Sequence, residues 1–195
     1  SAGTDEVEDI WETLPIVQSN LESKNKSTVS LPEPVYDLQN ITNDILNATN
    51  TVKTVKNFVE VRNKVVNETP SSVPLEGHIT SLFGWRRSPF GFGRDFHTGI
   101  DIAAPQNSAI HATAPGVVVM AGWGGGYGNM VRIRHKYGFE SIYAHCTSLA
   151  VHQGQEIRKG QVVSYVGNTG SSTGFHCHYE IRLGPDPINP YPYMS

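Results

Sequence analysis

Apolar residues recur at alternating steps of three and four positions between residues 35 and 67. This spacing is typical of an α-helix with a heptad seam along one side. Asn and Thr are frequent in the segment and favour helices weakly, so a helix here needs a packing partner. Pairing with another chain as a coiled coil and packing along the rest of this chain both satisfy that need. The seam consists of Leu38, Ile41, Ile45, Ala48, Val52, Val55, Val59 and Val66, interrupted at Arg62.

Short apolar runs separated by glycine-rich turns follow residue 75, and they predict strands rather than helices. The runs 117–121 and 130–134 flank the glycine-rich segment 122–128, which predicts a β-hairpin with a flexible aromatic loop. Polar and apolar residues alternate over 175–182, which predicts a half-buried strand. We therefore expect a mostly β fold: an antiparallel β-sheet or sandwich domain with an N-terminal helical region.

These patterns divide the chain into three parts. Residues 1–34 are expected to form a short helix, around the apolar cluster at 10–17, followed by a polar linker. Residues 35–68 are expected to form the long helix. A segment rich in Pro and Ser, 69–74, then separates this helix from a domain at 75–195.

Charge and composition exclude several classes of function. The 195 residues carry a formal net charge of −3, and they lack the basic stripe that nucleic-acid-binding proteins use. No apolar run approaches the ~20 residues of a membrane-spanning helix, and no signal peptide is recognisable. The two cysteines are too few for a disulfide framework, although Cys146 and Cys177 lie on strands that adjacent pairing would bring together. We expect two small buried thiols.

Histidines and carboxylates are concentrated in the β region. On the last predicted strand, His176 and His178 point to the same face, because side chains two apart share a face. His97 and Asp101 are four apart and share a face in a strand or a helix. Gly99 lies between them and disfavours the helix.

A third stretch adds His145 to this set. If that strand alternates regularly, Tyr143 and His145 share one face, and Ile142, Ala144 and Cys146 share the other. The remaining histidines are expected to be solvated or hydrogen-bonded residues without a role in catalysis. They are His78, His111, His135 and His152.

Two histidines and one carboxylate form a donor set typical of catalytic zinc, which takes three protein ligands and keeps one position for water. We expect His97, Asp101 and His178 to hold a zinc ion. Two neutral imidazoles and one carboxylate leave the ion with net positive charge, so it stays a Lewis acid. His145 and His176 then act as catalytic residues that exchange protons with the substrate. The sequence leaves open which of the two is the general base.

Aromatic and polar residues near these stretches are candidates for substrate contact. The loop at 122–128 is suited to form one wall of a groove for an extended peptide, and the alternative is a loop without contacts. We expect Trp123 and Tyr127 of this loop to contact the substrate. Tyr143 and Asn168 complete the expected set.

Several short motifs occur in a fixed order between residues 75 and 193. They are Gly84-Trp85-Arg86, His97-Thr98-Gly99-Ile100-Asp101, Ala114-Pro115-Gly116-Val117-Val118, Tyr127-Gly128-Asn129, Tyr143-Ala144-His145, Gly160-Gln161, Gly167-Asn168-Thr169-Gly170 and His176-Cys177-His178-Tyr179-Glu180. In this order and spacing the sequence resembles the lysostaphin-like (LytM-type) zinc metallopeptidases, which cut peptide bonds in bacterial peptidoglycan. The family's zinc ligands correspond to His97, Asp101 and His178. Its second-sphere catalytic histidines correspond to His145 and His176.

The resemblance implies a Zn2+ cofactor and peptidoglycan stem peptides as substrate. It implies a zinc-dependent endopeptidase of cell wall remodelling or division, and we expect it to cut D,D-peptide cross-links. Two alternatives stay open: a regulatory module that activates another wall hydrolase, and a latent enzyme masked by its N-terminal region. We expect a location in the bacterial envelope, periplasmic or extracytoplasmic, and membrane anchoring before truncation. We also expect that helix 35–68 allows self-association.

Overall fold

The computed structural model describes residues 33–89, 91 and 93–194 of the chain. The segment at residues 10–17, for which the sequence predicts a short helix, lies outside the described residues. One long helix, α1, spans Glu33–Glu68 and is followed by short strands. The strands are β1 His78–Ser81, β2 Gly84–Arg87, β3 Arg94–His97, β4 Ile100–Ala103, β5 Ala109–His111, β6 Gly116–Trp123, β7 Asn129–Arg134, β8 Phe139–Cys146, β9 Ser148–Leu149, β10 Glu156–Ile157, β11 Val162–Tyr165, β12 His176–Leu183 and β13 Asp186–Ile188.

Helix α1 ends at Glu68, two residues before Pro70, because proline lacks the N–H and the space that a continued helix requires. The apolar residues of its heptad seam are exposed to solvent, for example Leu38 at 63 % and Val52 at 68 %. Since the described residues supply no cover for this seam, coiled-coil formation and self-association stay predictions. Within the described residues, no helix combines the length and apolar character that crossing a membrane requires.

The described strands form three sheets in which the pairings are antiparallel. The largest has eight strands in the order β1-β4-β12-β8-β7-β6-β10, with β13 paired to β12. A three-stranded sheet has the order β5-β11-β9. Strands β2 and β3 form a separate two-stranded ribbon. The expected mostly β, antiparallel fold with an N-terminal helix is confirmed.

The two faces of the large sheet have different environments. On β12, Tyr179 and Ile181 point into the main hydrophobic core, which also contains residues of the three-stranded sheet. His178 and Glu180 alternate with these two residues along the strand and point to the opposite face, as the alternation of a strand requires. The alternation predicted over 175–182 is therefore present, and it directs polar side chains away from the core.

Compact packing divides the chain within α1, between Val52 and Lys53. This position differs from the boundary predicted at residues 69–74, so the predicted domain division stays a prediction. The last turns of α1 belong to the larger unit, where Glu68 accepts a hydrogen bond from Lys136 Nζ at 2.6 Å.

Candidate metal centre

Three polar side chains from different strands meet on the face of the large sheet that lies opposite the core. His97 ends β3, Asp101 is the second residue of β4, and His178 is the third residue of β12. Asp101 and His178 are direct register partners on neighbouring strands. Only Thr98 and Gly99 separate β3 from β4, so this short turn brings His97 beside the other two.

The donor atoms of these three residues form a tight triangle. His97 Nε2 lies 3.0 Å from Asp101 Oδ1 and 3.0 Å from His178 Nδ1. His178 Nδ1 lies 2.8 Å from Asp101 Oδ1. Ligands of a tetrahedral zinc ion, each about 2.0–2.1 Å from the metal, are separated from one another by about 3.3 Å. The types of donor and their spacing therefore fit a zinc ion.

The second nitrogen of each histidine is held by a group that accepts a hydrogen bond. His97 Nδ1 lies 2.8 Å from the carbonyl oxygen of Leu82, and His178 Nε2 lies 3.0 Å from the carboxylate of Glu180. Because a neutral imidazole carries one proton, these contacts place it on the outer nitrogen. His97 Nε2 and His178 Nδ1, which face each other, then each carry a lone pair. Metal binding requires this tautomer of each ring.

Arg86 sets the orientation of the carboxylate in the triangle. Its Nη1 donates to Asp101 Oδ2 at 3.0 Å, which leaves Oδ1 turned toward the two histidines. Burial raises the pKa of the Asp101 carboxyl, but its interactions with the rings of His178 and His97 outweigh burial and hold this pKa far below its usual range. The centre of the site thus favours positive charge, which a divalent cation supplies.

Glu180 lies behind His178 and is fully buried. Its Oε1 accepts hydrogen bonds from His178 Nε2 at 3.0 Å, from the Thr98 hydroxyl and from the Tyr127 hydroxyl at 2.6 Å. Its Oε2 accepts a bond from Arg182 Nε at 2.8 Å. Burial raises the pKa of Glu180, but the hydrogen bonds from His178, Thr98 and Tyr127 outweigh burial and lower this pKa to about 2. The carboxylate is therefore ionised at neutral pH and remains an acceptor for His178.

A close approach of two chain segments requires glycine at position 99. A Cβ atom on Gly99 would collide with the carbonyl oxygen of Tyr179 and would lie 2.9 Å from His178 Cε1. The turn between β3 and β4 therefore packs directly onto β12. This contact holds His97 within reach of His178.

Strand β8 contains a β-bulge at the position of His145. Opposite β7, Tyr143 pairs with Val131 but Cys146 pairs with Asn129, so β8 has one extra residue in this interval. His145 has a φ of 61°, in the left-handed region that residues other than glycine seldom adopt. Tyr143 points into the core, and the bulge returns His145 to the face that carries the donor triangle. The prediction that Tyr143 and His145 share a face is wrong for this reason.

The two remaining histidines lie side by side at this centre, with ring centroids 4.8 Å apart. His145 Nδ1 donates to the carbonyl oxygen of Thr169 at 2.8 Å, and His176 Nδ1 donates to that of Gly174 at 2.8 Å. In the neutral form of either ring the lone pair is therefore on Nε2, and Nε2 of His176 lies 3.7 Å from Asp101 Oδ1. Burial lowers the pKa of His145 to about 4, so this ring is neutral at neutral pH.

All five of these residues line one cleft with a volume of about 380 Å³. One wall of the cleft comes from the β2–β3 ribbon and includes Phe96. The loops at residues 124–127 and 171–173 also line the cleft, and the residues that they contribute carry hydroxyl groups but no charged side chain. An extended polar ligand therefore has room to lie across the donor triangle.

Of the four residues expected to contact substrate, Tyr127 lines this cleft. Trp123 and Asn168 are exposed but lie outside the cleft lining. Tyr143 is fully buried in the core, where the backbone N–H of Thr113 donates to its hydroxyl at 2.9 Å. The expectation that Tyr143 contacts substrate is therefore corrected, because its ring and its hydroxyl are both enclosed by protein.

Two residues of the centre received no role from the sequence. The sequence does point to Glu180, because strand alternation predicts that this residue lies on the same face as His178. It does not point to Arg86, because the contact of Arg86 with Asp101 depends on how the ribbon folds over the sheet.

The two cysteines lie next to site histidines but on the core side of their strands. Cys146 and Cys177 are free and fully buried, as expected. Burial raises the pKa of the Cys146 thiol to about 11. Neither sulfur belongs to the donor set of the centre.

A buried His–Asp–His triangle beside two further histidines, placed on an antiparallel sheet and open to a cleft, has the features of a metallopeptidase centre. The comparison with known families agrees with this class. Residues 95–190 match peptidase family M23. The chain belongs to peptidase family M23.

The curated proteins similar to this chain include both an enzyme and an activator. The chain is 48% identical over 112 residues to the DD-carboxypeptidase/endopeptidase Mpg of Neisseria meningitidis. The matched region covers 57% of this chain and 26% of that protein. The chain is 39% identical over 122 residues to the murein hydrolase activator NlpD of Escherichia coli. This matched region covers 62% of this chain and 30% of that protein. The chain thus spans less than a third of the length of these relatives.

A solved structure is similar over nearly its whole length. It is a single-residue variant of the catalytic domain of the prophage-encoded M23 protein EnpA from Enterococcus faecalis. It is 36% identical to this chain with a TM-score of 0.52, and the similarity covers 63% of this chain and 98% of that one.

Proposed function

We propose that this chain is a zinc-dependent endopeptidase that hydrolyses peptide bonds of bacterial peptidoglycan. The observation that carries the proposal is the donor triangle of His97, Asp101 and His178 at the cleft. All three donor atoms lie within 4.8 Å of one another, and the outer nitrogen of each histidine is held by an acceptor. Membership of peptidase family M23 supports peptide hydrolysis as the reaction.

The three residues of the triangle would hold the ion, since they combine two imidazoles with one carboxylate. When bound, zinc supplies a Lewis acid that polarises a carbonyl and lowers the pKa of water. Arg86 keeps the Asp101 carboxylate in place, and Glu180 keeps the His178 ring in its required tautomer.

His145 and His176 supply the proton transfers. Hydrolysis of a peptide bond moves one proton from the attacking water to the departing amine, so it requires an acceptor that can also donate. A backbone carbonyl accepts a hydrogen bond from Nδ1 of each ring, so the neutral form of either ring has its lone pair on Nε2. When either ring has accepted a proton, it also becomes a donor to the oxyanion that develops on the substrate carbonyl.

The substrate in this proposal is an extended peptide of the wall, and the bond is a D,D-peptide cross-link. The name and 48% identity of the Neisseria DD-carboxypeptidase/endopeptidase support that bond preference. A location in the bacterial envelope follows from a substrate of this kind.

Digestion of purified peptidoglycan tests the proposal. We expect the zinc-loaded chain to convert cross-linked muropeptides to uncross-linked ones, as measured by mass spectrometry. A chelator should stop the reaction, and added zinc should restore it. His97→Ala should lose both bound zinc and cleavage, whereas His152→Ala, which alters an exposed histidine, should keep both. A zinc-loaded wild-type chain that releases no product would contradict the proposal.

Activation of another wall hydrolase is a second candidate, which the similarity to NlpD favours. An activator leaves peptidoglycan uncut when alone and increases product release by a separate hydrolase. His97→Ala separates the two candidates, because an activator keeps its effect without the metal ligand and an enzyme does not.

A further inference from the structure

The exposed side of the β2–β3 ribbon carries two aromatic rings and two arginines. Trp85 pairs with Phe96 across the ribbon, and Arg87 pairs with Arg94. Because alternate residues of a strand share a face, these four side chains lie on the same side, which we call the ribbon face. The other side carries Arg86, which belongs to the metal centre.

The two arginines of the ribbon face oppose each other, and no described acidic side chain pairs with them. Like charges directly opposite in an antiparallel pair are destabilising. Arg87 and Arg94 are both exposed, and the ion pairs among the described residues include neither of them. By contrast, Arg132 and Arg182 are each paired with a glutamate. The ribbon face is thus a local excess of positive charge on a chain whose net charge is −3.

The aromatic residues of the ribbon face are exposed but held in place. Trp85 is 65 % exposed and Phe96 is 39 % exposed. Their rings meet edge to face with centroids 5.5 Å apart, and Phe83 makes a similar contact with Phe96 at 5.2 Å. The Arg94 guanidinium lies 5.8 Å from the centre of the Trp85 ring. A ligand would therefore meet side chains that have already lost much of their freedom, which favours binding.

The ribbon face continues into the cleft. Phe96 belongs to both, and the next residue, His97, is part of the donor triangle. Arg94 precedes His97 by three residues on an extended strand, which is a distance of about 10 Å. An extended peptide covers about the same distance in three residues.

We propose that the ribbon face binds a carboxylate of an acidic peptide substrate, about 10 Å along the peptide from the bond that is cut. This inference rests on the proposed function. The two guanidinium groups present paired N–H donors, whose geometry matches a carboxylate. Trp85 and Phe96 pack against the aliphatic part of the peptide between the carboxylate and the cleft. The chain would then distinguish a wall peptide with a free side carboxylate from one in which that group is amidated.

Binding to the metal-free protein tests this inference without any cleavage. The probes are the labelled peptide L-Ala–γ-D-Glu–L-Lys–D-Ala–D-Ala and the same peptide with the α-carboxyl of its D-Glu amidated. We expect wild type to bind the acidic peptide about tenfold more tightly, since charge-assisted hydrogen bonds from two exposed arginines to one carboxylate together contribute about that factor. The double variant Arg87→Ala, Arg94→Ala should bind both peptides equally. Arg158→Ala, which removes an exposed arginine elsewhere, should keep the wild-type preference.

The outcomes separate this inference from the proposed function. A wild type that binds both peptides equally, or a double variant that keeps the preference, would overturn the inference. Equal competition by inorganic polyphosphate would indicate a general anion site and would also overturn it. A preference that depends on the arginines supports the ribbon face even if the zinc-loaded chain cuts nothing, in which case only the proposed function fails. The thermal midpoint of unfolding of the double variant should not fall, because opposed like charges have been removed. If it does fall, the binding test is repeated with the single variant Arg87→Ala.

Discussion

His178 Nε2 lies 3.0 Å from Oε1 of Glu180, so a fully buried carboxylate fixes the tautomer of a residue in the donor triangle. The same oxygen accepts bonds from Thr98 and Tyr127, which come from the turn before β4 and from the loop at 124–127. One carboxylate therefore connects the strand that carries His178 with two segments that line the cleft.

Glu180→Gln tests this connection. The amide keeps the size of the side chain but loses its charge, and its NH2 group cannot accept hydrogen bonds. We expect zinc affinity to fall about 10–100-fold, as is usual when the outer partner of a histidine ligand is changed. Competition with a chromophoric chelator measures this affinity. Glu140→Gln is the matched control, because Glu140 pairs with Arg132 outside the donor triangle. Equal zinc affinities for both variants would show that Glu180 does not position His178.

His145→Asn should separate proton transfer from metal binding. Asparagine tolerates the left-handed conformation that His145 adopts at a φ of 61°, so the bulge should persist. We expect bound zinc to stay at the wild-type level and kcat for muropeptide cleavage to fall about 10²–10⁴-fold. Zinc content and kcat are measured on the same preparation, with His152→Asn as the control. Wild-type turnover in His145→Asn would remove this residue from the reaction.

Gly99→Ala should disturb the metal centre through packing alone. The added Cβ would collide with the Tyr179 carbonyl oxygen and push the β3–β4 turn away from β12. Since this turn carries His97 to His178, we expect weaker zinc binding and loss of cleavage. Gly91→Ala is the control, because a Cβ there would have no described atom within 4 Å apart from its own chain neighbours. Zinc titration of the two variants tests the prediction, which fails if they bind zinc equally well.

The stability of the domain should fall in mild acid because of His135. This side chain is buried, its Nδ1 donates to the Pro115 carbonyl at 2.8 Å, and its Nε2 accepts from the Ser141 hydroxyl at 2.7 Å. Burial lowers the pKa of His135 below its ordinary value of about 6.5. In the interval between the folded and unfolded pKa the unfolded chain binds more protons, so stability is complete above pH ~6.5 and is lost as pH falls toward the folded value.

Urea unfolding between pH 7.5 and pH 5 measures this effect, with a chelator present so that metal binding does not contribute. The free energy of unfolding of wild type should decline relative to that of His135→Gln by at most about 1.4 kcal/mol per pH unit. Replacement of the exposed His152 by Gln should leave the wild-type slope unchanged. Parallel curves for wild type and His135→Gln would contradict the prediction.

Periodicity in the sequence was sufficient where each element follows its own regular pattern. The heptad spacing predicted a helix over residues 35–67, and α1 spans Glu33–Glu68. The alternation on β12 correctly placed His178 and Glu180 on one face, because that strand has no bulge along its pairing with β8.

Regular alternation failed where a single residue leaves the regular conformation. The left-handed backbone of His145 adds a residue to β8, and no local pattern in the sequence marks it. Regular alternation therefore predicts Tyr143 in the cleft, although this residue lies in the core. The role of Arg86 cannot be read from strand periodicity for a different reason: its contact with Asp101 joins two strands that do not pair with each other.

The two buried thiols give the metal centre a built-in reporter. Cys146 follows His145, and Cys177 lies between His176 and His178, yet neither sulfur is accessible in the folded state. A thiol reagent can therefore modify them only during excursions in which β8 and β12 separate from the core. The rate of labelling therefore reports how often the sheet opens locally beneath the histidines. A lower rate after addition of zinc would measure how much the bound ion stabilises the contact of these strands with the core.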